Sequence, residues 1–209
     1  MKALGLTPTS IPESFTPLPQ AEIMWGCERG GSPHFPSDMD TIIARKRAHA
    51  PEPLQAFIQA VKQAEKRVWL MDNYFLAPDN KRKPDDRIQA VLEWFHAGLI
   101  ASDIRILTSD HAEVTADFLD LFKEQERCIN TIQVRRDTRC LIQLNTRLKH
   151  SPIEVHDRFA IVDNELWHFG ATVGGFHASV NAASRGWSAE KSGAVRFFEL
   201  VWDTCKGKR

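Results

Sequence analysis

Residues 153–175 constrain this chain more than any other stretch. They read I-E-V-H-D-R-F-A-I-V-D-N-E-L-W-H-F-G-A-T-V-G-G. An apolar, β-rich run from Ile153 to Val162 meets the turn formers Asp163 and Asn164. A second run follows from Glu165 to Phe169, and a glycine-rich exit closes it. Two such runs joined by turn residues predict a β-hairpin. Side chains alternate along a strand, so Ile153, Val155, Phe159 and Ile161 predict a buried face and His156 and Arg158 the opposite one. An imidazole beside a guanidinium on a rigid strand suits a nucleophile or proton carrier next to a phosphate clamp. The same pair also decorates faces that are simply wet. Asp157 falls among the apolar positions, where a carboxylate needs a partner. An arginine from the 127–147 run would serve; a twist that leaves Asp157 exposed is the alternative.

His156-x-Arg158, then four residues, Asp163 and Gly170-Ala171-Thr172 resemble the signature of the phospholipase D superfamily. That signature runs His-x-Lys, four residues, Asp and, further on, Gly-Ser-x-Asn. The His, the Asp and the Gly match in register. Arg158 stands where the family has Lys, Ala171 where it has Ser and Val173 where it has Asn. The pattern is most similar to a bacterial branch in which His-Asp-Arg-Phe precedes Trp/Tyr-His-x-Gly-Ala-Ser/Thr, and that branch suggests nuclease-based defence.

The resemblance covers roughly Leu54 to Lys206. It implies an α/β fold with a phospholipase D-like mixed β-sheet flanked by helices on both faces. It also implies metal-independent phosphodiester chemistry with no cofactor. One histidine attacks phosphorus, giving a phosphohistidine, and a second protonates the leaving oxygen. Covalent catalysis of this kind needs both groups in line. The signature occurs once, so this half-unit is expected to homodimerise, with His156 of each copy in one cleft. Arg158 would grip phosphate. Asp163 would orient an imidazole or only form the turn. Thr172, His168, His177 or Asn181 would replace the donor lost at Val173. Arg185 and His177 lie in a segment from Phe176 to Trp187 with residues able to contact phosphate and base, although its small residues more often mean a tightly packed turn. The altered Lys, Ser and Asn positions keep a second class open: a non-catalytic module that binds phosphate groups of a nucleic acid, a nucleotide or a phosphoinositide.

Composition bounds these readings. Basic and acidic residues balance at 27 each, so no global charge pulls the chain toward polyanions and any such site must be local. Arg127, Arg135, Arg136, Arg139, Arg147, Lys149 and Arg158 form one local excess. Cys27, Cys128, Cys140 and Cys205 are scattered, without the spacing of a zinc site or a disulfide framework. Reduced thiols fit the cytoplasm. The first residues lack the order of a signal peptide, and no apolar run is long enough to span a bilayer.

Along the chain, residues 1–50 read as a proline-punctuated arm and irregular segment, and 51–209 as the domain. A short strand at 21–25 precedes Gly26-Cys27-Glu28-Arg29-Gly30-Gly31, which lacks the ending of a phosphate loop. Helical spacing marks 53–66. Val68 to Phe75 reads as a buried strand. A helix capped by Asp85 or Asp86 follows. Ile104 to Leu107 is a strand, and Val114, Phe118, Leu121 and Phe122 mark a third helix. Ile132 to Val134 and Leu141 to Leu144 read as strands, residues 174–187 as a loop or short helix, and 193–205 as a last helix with Phe197, Phe198, Val201 and Trp202 inward.

Overall fold

The computed structural model describes residues 18–26, 32–34, 36–47, 53–77, 83–132, 138–177 and 179–206. Strands form where the apolar runs predict them: β1 Glu22–Trp25, β2 Arg67–Met71, β3 Asp103–Leu107, β4 Leu141–Asn145, β5 Arg158–Val162 and β6 Glu165–Phe169. A further strand, β7 Ala182–Ser188, occupies the region read as a loop. Among the described residues the helices are α1 Met39–Arg47, α2 Gln55–Lys62, α3 Pro84–Leu92, α4 Ala116–Ile132 and α5 Ala194–Cys205, with a 3-10 turn at Leu148–His150.

The seven strands make one sheet in the order β1-β7-β6-β5-β2-β3-β4. β2, β3 and β4 are parallel, and every other neighbouring pair is antiparallel. Both faces are covered, as expected of an α/β fold. One face packs Val68, Leu70, Ile104, Ile106, Ala160 and Val162 against Phe57 and Val61 of α2, Ile88 and Val91 of α3, and Phe122 and Ile129 of α4. The other packs Trp69, Met71, Phe159 and Ile161 against Phe198, Val201 and Trp202 of α5. Phe57 meets Trp94, Trp167 and Phe169 edge-on at 5.1–5.6 Å, a geometry the ring quadrupoles favour.

Several boundaries differ from the sequence reading. The first hairpin strand begins at Arg158, because both ladders stop there: β2 pairs no further than Met71↔Phe159 and β6 no further than Arg158↔Phe169. His156 therefore precedes the strand. Its expected wet face is the face of Ala160 and Val162, which helices bury. The strand read as 68–75 ends at Met71, where Asp72 opens a turn. Ile132 is the last residue of α4, and the rest of the strand expected at 132–134 lies outside the described residues. α2 is shorter than 53–66. α3 starts at Pro84 after Lys83, and neither aspartate caps it by side chain; Asp85 and Asp86 sit in its first turn, where the macrodipole favours them. Phe197 is exposed and not inward. Residues 182–188 pair on both sides, with β6 and with β1, so ladder bonds override their weak strand propensity. Within residues 1–50 the expected short strand is the edge strand β1, and Met39–Arg47 adds a helix, α1, that the reading did not include. Except for Gly26, the glycine-rich loop lies outside the described residues.

Candidate functional site

Parallel strands put their carboxyl ends on one edge, and an antiparallel neighbour brings its amino end there. The carboxyl ends of β2, β3, β4 and β6 therefore gather with the amino end of β5. In open α/β sheets this crevice is where ligands bind. The edge carries Asp72, Asn73 and Tyr74 after β2, Thr108 and Ser109 after β3, Arg147 and Lys149 after β4, His156 and Arg158 at β5, and residues 170–175 after β6.

Asp72 ties these pieces together. It is fully buried. Its Oδ1 accepts from the Tyr74 N–H at 2.8 Å and its Oδ2 from the Val173 N–H at 2.9 Å. Arg158 Nε stands 3.6 Å from Oδ1. Burial pushes the Asp72 carboxyl above its ordinary value. The N–H groups of Tyr74 and Val173, and then the charges of Arg158 and Arg87, pull it back. Arg87 is buried beneath, its Nη1 donating to the Phe75 carbonyl and its guanidinium lying 4.6 Å over Phe176. Arg158 is half-buried, and its guanidinium carbon sits 5.2 Å from the centre of the Tyr74 ring. Its contact with Asp72 uses Nε; the two Nη groups of a guanidinium supply four further N–H donors.

Asn73 fixes the neighbouring segment. Its Nδ2 donates to the Val155 carbonyl at 2.7 Å, and its Oδ1 accepts from Ser109 Oγ at 2.7 Å. Ser109 Oγ in turn accepts from the Lys149 N–H at 3.0 Å. The residue after Val155 is His156, which is exposed. A chain of hydrogen bonds from β4 through β3 and β2 thus sets the backbone that presents the imidazole. Gly174 closes the floor with φ +91; a Cβ there would stand 2.5 Å from Trp94 Cη2.

The predicted site residues divide. His156 and Arg158 lie together at this edge. Thr172 is buried one residue from Val173, and its carbonyl accepts from the Gly175 N–H. Asp163 lies a strand's length away, at the far end of β5. Its φ is 53°, and its carboxylate accepts from the N–H groups of Glu65, Lys66 and Arg67. The turn alternative therefore describes it, and it orients no imidazole of this edge. His168 falls on the α5 face, opposite Phe159, with Nε2 3.5 Å from Asp157 Oδ1. Asp157 is exposed, since it precedes the strand, and needs no buried arginine. Arg185 makes a two-pronged pair with Glu165 and lies 4.3 Å over Trp167, so structure already occupies it. Asn181 donates to the carbonyls of His177 and Ser179, and Arg45 donates to those of Gly175 and His177. These bonds tie Gly175, His177, Ser179 and Asn181 together and to α1, and Ala182–Ser188 is a strand.

The sequence reading missed Asp72, Asn73, Tyr74 and Ser109. Their signal was position: polar residues directly after an apolar strand, at the end where α/β sheets bind ligands. Among the described residues, no cluster of three or more His, Cys, Asp or Glu side chains suits a metal ion. Among the same residues, no helix is long and apolar enough to cross a membrane.

Fold and site together define an α/β protein with one mixed sheet and a polar carboxyl edge that carries His156 and Arg158. No protein-family profile and no curated protein sequence matches the chain. Among solved structures it is similar to phosphatidylserine synthase of Haemophilus influenzae Rd KW20, with 13% identity, TM-score 0.47 and 86% of this chain covered. The match spans 36% of the synthase, about a third of its length. NucT from Helicobacter pylori is similar at 10% identity and TM-score 0.47, covering 89% of this chain and 98% of that one. TrmBL2, an archaeal chromatin protein, is similar at 13% identity and TM-score 0.35, with 71% and 47% covered. Identities this low carry no activity or residue role across.

Proposed function

We propose that the chain is a metal-independent phosphodiesterase of phospholipase D type, acting as a nuclease through His156 in a homodimer cleft. The supporting observation is the carboxyl-edge pair: an exposed imidazole two residues from a guanidinium that a buried carboxylate holds. In the proposed reaction a nitrogen of His156 attacks phosphorus and the bond to the leaving oxygen breaks. His156 of a second copy gives that oxygen its proton. Water then attacks the phosphohistidine, the second imidazole taking the water's proton, and both histidines are restored. Arg158 steadies the non-bridging oxygens through its Nη groups.

A second reading rests on a different observation. The guanidinium of Arg158 already faces Asp72, and the side chains of Ala171 and Val173 are buried and apolar. These features favour a module that binds phosphate, in a nucleic acid or a phosphoinositide, without turning it over.

Hydrolysis of bis-p-nitrophenyl phosphate and single-stranded DNA in excess EDTA separates the two. The phosphodiesterase reading expects turnover by a protein that sediments as a dimer, reduced by at least about a hundred-fold in His156→Ala. A folded dimer no faster than that variant, yet binding inorganic phosphate, would establish the module.

A further inference from the structure

We infer that the carboxyl edge is a track for single-stranded nucleic acid, in which Tyr74 stacks a base and Arg147 and Lys149 hold flanking phosphates. The inference rests on the phosphodiester reading and names its ligand. Tyr74 is the only tyrosine of the chain. It is 58% exposed although its backbone is held on both sides. Its N–H donates to Asp72, and its carbonyl accepts from the Ala77 N–H. Arg158 lies over the ring, 5.2 Å from its centre, so the ring is both oriented and open to solvent. A fixed, exposed aromatic beside a phosphate-binding guanidinium is the pairing that sequence-tolerant single-strand binders use: every base offers a π-face next to its own phosphate.

The edge continues the pattern. Ser109 links Asn73 to Lys149 by hydrogen bonds and forms a bridge with Arg147. Arg147 and Lys149 are both exposed. From β5 to β4 is three strand spacings, about 14 Å. One phosphate or one lipid headgroup occupies a single end of such a row; a polymer with repeating charges occupies both. Two exposed carboxylates flank the row, Asp110 at 3.7 Å from His150 and Asp157 at 3.5 Å from His168.

The test is fluorescence anisotropy of a labelled single-stranded oligonucleotide, in a His156→Ala background so that no strand is cut. Tyr74→Leu is expected to weaken binding about ten-fold and Tyr74→Phe to restore it. Arg147→Ala with Lys149→Ala should flatten the dependence of log affinity on log salt by about 1.4. An unchanged melting temperature in Tyr74→Leu, expected for so exposed a side chain, excludes misfolding. Equal oligonucleotide affinity in Tyr74→Leu overturns the track. So does binding to phosphatidylglycerol vesicles with none to the oligonucleotide, which would assign a lipid surface. Inorganic phosphate, titrated into the unmodified protein, separates the levels. Phosphate binding without a Tyr74 effect removes the track and leaves the phosphodiester reading, whereas no binding of either probe removes both.

Discussion

Asp72 and Asp163 mark opposite ends of the same sheet and do opposite kinds of work. Asp163 sits in the β5–β6 turn with φ 53° and accepts three backbone N–H bonds from the chain entering β2. It needs no cation, because backbone donors and nearby solvent suffice. Asp72 accepts two backbone N–H bonds, is wholly buried and has Arg158 as its charged neighbour. One carboxylate locks a hairpin. The other spends burial energy to hold an arginine and two loops where the chain could otherwise be apolar. A wholly buried carboxylate at the carboxyl edge and a partly exposed one at the far edge thus differ in what each costs to keep ionised.

Three substitutions or conditions test that contrast. The largest effect belongs to Asp72→Leu, which leaves the Tyr74 and Val173 N–H groups without their acceptor and Arg158 without its charged neighbour. Urea unfolding should show a loss of about 3–5 kcal/mol. A loss below 1 kcal/mol would mean that the carboxylate contributes little to the native state. Next is Asp163→Ala, which removes the acceptor and puts alanine at positive φ. It should lose about 2 kcal/mol in the same titration and leave phosphate binding at the other edge unchanged. A change in phosphate affinity would show that the two ends communicate.

The smallest effect is one of pH. Burial raises the Asp72 pKa above its ordinary value of 3.8, so between that value and the raised one the folded protein holds a proton that the unfolded chain releases. Its contribution to stability is therefore greatest at low pH. It declines as pH climbs from that value through the raised one, by at most about 1.4 kcal/mol per unit. Unfolding free energies of the unmodified protein and of Asp72→Asn, measured across this range, should differ by this slope. Parallel curves would place the Asp72 pKa at its ordinary value.

Much of the sheet was legible because apolar runs flanked by turn formers settle most of β2, β3, β4 and β6 locally. β7 was not, since Ala182-Ala183-Ser184-Arg185-Gly186-Trp187-Ser188 becomes a strand only by pairing with two others. Ile132 was misread because a β-branched residue at a helix end looks like a strand start, although Phe122 and Ile129 carry the helical stripe to that point. At the site, the spacing of His156 and Arg158 made that pair visible. Asp72 was not, because its partner N–H on Val173 lies 101 residues away and nothing local says that the carboxylate is covered. Arg185 misled for the same reason: its engagement with Glu165 and Trp167 depends on a strand that had not been seen.

The strand order also sets a timetable. β1 joins the sheet only through β7, pairing Glu22 with Arg185, and β2 completes its second ladder only when Val162 arrives opposite Val68. Loops this long close slowly compared with local contacts. A chain emerging amino end first can assemble β2, β3 and β4 with their helices while β1 waits, unpaired, for the last strand of the sheet. The carboxyl edge, which takes residues from β2 through β6, is complete only once residues 170–175 have followed β6.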